Sequence, residues 1–145
     1  MSSWRLTATP NIRVRDVATF TTREAMNDFS VSLNAVKARY PFPRWAKSGL
    51  DQYTSEACEA FARIFDVLIG ELIQLGFGAS EGAKLAAFEK AVIALNALNA
   101  TDETLIETGE RDDLCMLVNE IATAAGLEPT KYGDGEGPAS VWREW

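Results

Sequence analysis

Histidine is missing altogether from the 145 residues. The usual general base near neutral pH is therefore absent, and with it the Ser-His-Asp type of triad and the commonest zinc ligand. Cysteine occurs only twice, as Cys58 and Cys115, in helix-like stretches far apart. That pattern predicts two free thiols of a reducing compartment, not a disulfide framework. No apolar run approaches the ~18–20 residues that span a bilayer. The opening MSSWRLTATPNIRVRD also lacks the apolar stretch of a secretory signal. A cytoplasmic location with no membrane contact is expected. No internal repeat or linker interrupts the chain, and 47% of its residues are hydrophobic. Residues 1–145 are accordingly expected to form one domain around one core.

Charge is present mostly in one sign. The net is −7, but residues 1–50 hold eight Lys/Arg against three Asp/Glu, and residues 51–145 hold six against eighteen. The two halves thus differ by +5 against −12, an asymmetry consistent with a basic partner and equally with acidic helix faces turned to water. Nucleic acid is not an expected partner, because most of the chain would repel phosphate.

Helical periodicity fills the sequence. Residues 4–20 are irregular, with NIRVRDV alternating like a short extended piece. Thr21-x-x-Glu24 forms a capping box, after which Met26, Phe29, Leu33, Val36 and Tyr40 make one apolar stripe. Pro41 and Pro43 end it and open the loop YPFPRWAKSGLDQY. A second helix is expected over Ser55–Leu75, closed by Gly76, and a third over Ser80–Leu98. The third carries Leu85, Phe88, Val92 and Leu95 inward, while Ile93 and several alanines predict burial of more than one face. The fourth is expected over Gly109–Ala125, capped by Thr108, with Leu114, Leu117, Val118 and Ile121 inward. The expected fold is all-α: an antiparallel four-helix bundle with an irregular N-terminal segment and a C-terminal tail anchored by Trp142 and Trp145. Its predicted core joins Phe61, Phe65, Leu68, Leu85, Phe88, Val92, Leu117 and Ile121.

Three constellations bear on function. LIETGERDDLC, residues 105–115, contains Glu107, Glu110, Asp112 and Asp113. Carboxylates are favoured in a first helical turn, so initiation of the fourth helix accounts for part of the cluster. Setting Leu114–Ile121 inward places Asp112 and Asn119 outward, Asp113 and Glu120 on one flank, and Glu110 nearer the core. The surplus acids form a candidate face for a basic protein. The second constellation is Lys37 to Lys47, basic and aromatic without an acid, with Arg44 and Trp45 as candidate contact residues. Its alternative reading has the aromatics tucked into the bundle while the basic ends stay wet. The third, YGDGEGPAS, places Asp134 and Glu136 among glycines, which disfavours phosphate and suits a turn. No cofactor is expected.

Paired acids also raise metal chemistry. Glu56-x-x-Glu59 and Glu110-x-x-Asp113 resemble the motifs by which all-α nucleoside triphosphate pyrophosphatases hold Mg²⁺. That resemblance implies a nucleotide hydrolase with Glu110 and Asp113 as metal ligands. Against it, about fifty residues separate the pairs, and helical geometry turns Glu56 and Glu59 away from the Phe61–Leu72 stripe, with Glu59 free to pair with Arg63.

The run ALNALN, then LIETGERDDLC, AAGLE and GEGPASVWREW, within residues 93–145, resembles a block of small acidic bacterial proteins of the immunity type. The resemblance implies a non-enzymatic inhibitor of a basic toxin domain. The leading expectation is therefore an acidic binding protein that contacts its partner through Glu107, Asp112, Asp113, Arg44 and Trp45. A metal-dependent hydrolase and a purely structural or homo-oligomeric helical protein are the alternatives.

Overall fold

A computed structural model of the chain describes residues 23–145. The extended NIRVRDV piece and Thr21 of the expected capping box lie outside the described residues. The fold is all-α, with no strand among the described residues. Helix α1 (residues 23–36) tightens into a 3-10 turn at Lys37–Arg39. There follow α2 (Phe42–Ala46), α3 (Ser55–Leu75), α4 (Glu81–Thr101), α5 (Thr108–Ala124) and α6 (Ala139–Trp142). The four longest helices, α1, α3, α4 and α5, make the bundle. No helix among the described residues is long and apolar enough to cross a membrane.

Local chemistry explains the boundaries. Thr54 accepts a hydrogen bond from the Ala57 N–H at 3.1 Å and so starts α3. Ser80 does the same for α4 through Ala83. Each satisfies a backbone donor that the first turn leaves free. Gly76 follows α3 with φ +87°, the left-handed region that glycine enters without penalty. Residues 76–80 then reverse the chain: Ile64, Leu68, Ala91 and Ala94 line one groove, and Leu75 and Ala83, nearer the turn, line its continuation. The α3–α4 pair is therefore an antiparallel hairpin.

Two expected boundaries need correction. Thr108 does not cap α5; it is the first helical residue, Glu107 precedes it, and no side chain caps that end. The expected loop after Pro41 contains the one-turn helix α2, with Pro43 in its first turn, where its missing N–H costs nothing.

The core gathers Phe61, Phe65, Leu68 and Leu72 from α3, Phe88, Val92 and Leu95 from α4, and Leu114, Val118 and Ile121 from α5. Leu85 is only half-buried at its margin. Helix α1 contributes Phe29, Leu33 and Val36, but Met26 on the same stripe is 54% exposed, so the buried part of α1 begins a turn later than expected. Burial of α4 is broad as expected, although through Ala87 and Ala91; Ile93 is exposed. The tail is not irregular throughout: two 3-10 turns and α6 pass over α4 and α5. Trp142 and Trp145 pack against the core. Asn96 fixes the tail from α4, donating to the Trp142 carbonyl and accepting from the Glu144 N–H, both at 3.0 Å. Asn119 also departs from expectation. It holds the Glu136 carbonyl at 3.1 Å and closes over Gly137, where any added Cβ would collide with its amide.

Among the described residues, one charge lies inside. Lys84 is 6% exposed, and its ammonium donates to the Phe77 and Ala125 carbonyls, both at 2.9 Å, with the Phe29 ring 5.3 Å away. Ala125 ends α5 and Phe77 follows the end of α3, so the cation sits where carbonyls are left over and helix dipoles are negative.

Cys58 and Cys115 are free, and burial raises both thiols above their ordinary range, with the neighbouring Arg143 opposing this at Cys115. Because Phe65 is fully buried among Tyr40 and Phe42, Phe65→Ala should lower unfolding stability by about 3–5 kcal/mol through lost burial and the cavity left behind. Urea unfolding followed by circular dichroism measures this; a loss below about 1 kcal/mol would contradict the packing described.

Candidate functional site: the acidic end of α5 and the basic strap

The two sequence-predicted constellations meet each other. Phe42 and Trp45 lie one turn apart on α2 and enter the core side by side, Phe42 stacked on Phe61 at 5.7 Å and Trp45 edge-on to it at 5.2 Å. Tyr40 and Tyr53 flank them at 5.3 Å from Phe42 and 5.4 Å from Trp45. With the rings buried, the basic ends of the same segment lie across α5. Trp45 Nε1 donates to Asp113 Oδ2 at 2.9 Å, and the Arg44 guanidinium reaches the same oxygen at 3.0 Å. About two turns along α5 from Asp113, Arg39 Nε donates to Glu120 Oε2 at 2.9 Å. Asp113 and Glu120 do share a flank, as the periodicity predicts, and that flank is where residues 39–45, here termed the strap, land.

This arrangement corrects the expected contact surface. Trp45 is 2% exposed, so it offers nothing to a partner. Asp113 is engaged within the chain, and Arg44, though exposed, is paired to it. Glu107 and Asp112 remain exposed. So do Asp102 and Glu103 in the connection before α5. None of these four takes part in an ion pair among the described residues. Glu107 is oriented by Gln52, whose amide donates to it at 2.8 Å. Asp102 accepts from both the hydroxyl and the N–H of Thr104, which hold its carboxyl below the usual range and keep it charged.

The structure does not assemble the alternative metal site. Asp113 faces Arg44 and Trp45, and no three Asp, Glu or Cys side chains converge on a common point among the described residues. Glu56 and Glu59 are exposed on α3. The expected Glu59–Arg63 pair is not formed either; Arg63 makes no ion pair among the described residues.

All three tyrosines donate their hydroxyls. Tyr40 donates to Asp66 at 2.8 Å, Tyr53 to the Leu105 carbonyl at 3.0 Å, and Tyr132 to Glu81. Burial, and then the Asp66 carboxylate, push the Tyr40 phenol well up. Burial and then Glu110 do the same for Tyr53. The Glu81 bond leads at Tyr132, which is pushed up to about 12. Sequence reasoning missed these bonds and the Gln52 contact, because none leaves a local spacing signal.

Magnitudes rank the strap's contacts. Exposed ion pairs such as Arg39–Glu120 and Arg44–Asp113 contribute about 0–1 kcal/mol each, whereas a half-buried hydrogen bond to a charged acceptor is worth about 1.5–3. Asp113→Ala should therefore destabilise by about 1.5–3 kcal/mol by orphaning Trp45 Nε1, and Arg44→Ala by less than about 1. Asp113→Asn, which keeps an acceptor, should fall between them; chemical denaturation of the three variants decides, and equal losses for Arg44→Ala and Asp113→Ala would refute the ranking.

The tyrosines generate a pH prediction. Unfolded phenols ionise near pH 10, while the folded ones hold their protons longer. Their contribution is complete below that pH and is lost as pH rises toward the folded values. Stability should thus decline above pH 10, and phenolate absorbance should appear together with loss of helix. Early, unfolding-independent ionisation of all three would be the contrary result.

Comparison of the chain with known protein families, with characterised proteins and with solved structures found no match in any of the three.

Proposed function

We propose that this chain is a non-enzymatic binding protein whose acidic end docks a basic protein surface. One observation carries the reading: the strap takes up Asp113 and Glu120, yet Asp102, Glu103, Glu107 and Asp112 stay exposed and without a cation among the described residues. Helix initiation does not require so many acids, and the −12 of residues 51–145 supplies a field that draws a positive partner inward. The immunity-type resemblance of residues 93–145 makes a basic toxin domain the partner of choice, with neutralisation in the cytoplasm of a bacterial host as the role. Recognition would then work by charge and shape, with no chemistry at the interface.

The test is capture of the partner from the native host followed by association kinetics at two salt concentrations. Reversing Glu107 and Asp112 to Lys should slow association on the order of tenfold at low salt and flatten its salt dependence, because rim charges act mainly on encounter. Folding stability should change by only about 0.3–1 kcal/mol per charge. A captured partner that binds the reversed protein equally fast would defeat the acidic-end reading. Asp113 is left out of this variant, since its loss acts on Trp45 and would confuse folding with binding.

A further inference from the structure

On the side of the hairpin away from the core, α3 and α4 leave an open groove of about 210 Å³, lined by Val67 and Leu68 on one wall and Ala87 and Ala91 on the other. It continues toward Leu75 and Ala83. The α4 wall is low because it is built of alanines, and the α3 rim is raised by Val67, which is 55% exposed. Arg63 and Glu71 stand at the two sides of Val67. Glu71 also holds Lys90 across the groove at 2.7 Å, while Arg63 has no ionic partner among the described residues.

We infer that a second copy of this chain packs on this rim, with the two α3 helices antiparallel about a two-fold axis at Val67. The numbering of α3 supplies the charge complementarity. In an antiparallel pair centred on residue 67, position 67+k faces position 67−k of the partner. Arg63 of each copy then faces Glu71 of the other, about 6 Å along the helix from the axis on either side. Arg63 finds a carboxylate twice over, as an isologous contact requires. A parallel pairing would instead set Arg63 against Arg63. Three residues from the axis, Ile64 faces Gly70, which is exposed and has nothing within 4 Å of where a Cβ would be. Glycine inside a helix is destabilising by about 0.5–1 kcal/mol relative to alanine, and close approach of a second helix gives it a purpose here. At the axis the exposed Val67 side chains of the two copies meet, and two hairpins become a four-helix layer.

This inference is independent of the acidic end, which lies on other residues. The experiment is light scattering on the full chain over a concentration series, with helicity checked by circular dichroism. A mass twice 15.9 kDa is expected at about 100 μM, falling to the monomer on dilution. Val67→Asp should weaken the dimer at least about tenfold by placing a charge at the apolar axis, and Arg63→Glu on the order of tenfold by opposing Glu71 twice. Both positions are exposed, so the variants should fold. In a second measurement, Val67→Cys should cross-link to a dimer under mild oxidation far faster than Met116→Cys, an exposed control on α5. A chain monomeric throughout the series overturns the inference. So does a dimer indifferent to Val67→Asp and Arg63→Glu, or equal cross-linking at positions 67 and 116.

Discussion

A five-residue helix cannot stand by itself. Nucleation costs more than one turn of hydrogen bonds returns, so α2 exists because Phe42 and Trp45 are buried against Phe61. The surface around α5 depends on that insertion. Once the rings are fixed, the backbone of residues 39–44 lies beside α5, and Arg39 and Arg44 reach Glu120 and Asp113. The indole N–H needs an acceptor when buried, and Asp113 provides one that is charged. Hydrophobic burial thus decides which acids are neutralised and, by difference, which remain available.

The opposite end of the bundle solves a related problem without a carboxylate. Lys84 is buried between the ends of α3 and α5 and is satisfied by two carbonyls and an aromatic face. Leaving such a charge without acceptors would be costly, but carbonyls at helix ends are already in want of donors. A single ammonium thereby ties the α3–α4 turn, the end of α5 and the Phe29 face of α1. It is the reason that a lysine belongs on the buried face of α4's first turns.

Periodicity made the helices and most of the core legible, because burial of a stripe is written every three or four residues. Phe61, Phe65, Phe88, Val92, Leu117 and Ile121 are all buried. Lys84 was not legible, since a lysine on a helix reads as solvated until its neighbours are known. The meeting of Arg44 and Trp45 with Asp113 was half legible: both partners stood out, but nothing local reveals contact across 68 residues. Asn96 and Asn119 look like polar punctuation in an apolar helix, and their meaning lies in the tail that returns over them. Thr108 was misassigned because its composition suits a cap, while the backbone starts the helix one residue earlier than that role requires.

The uncapped start of α5 connects fold to function. With no side chain closing that end, its backbone N–H groups and the positive end of the dipole are what stabilise the acids around it. A dipole attracts carboxylates but cannot neutralise them, unlike an arginine. Glu107 and Asp112 therefore stay exposed at that end, with no ion pair among the described residues. Asp113, by contrast, is tied to a buried indole and carries the fold. Two adjacent residues, Asp112 and Asp113, so differ in what they touch: one is exposed and makes no ion pair among the described residues, and the other holds the strap beside it.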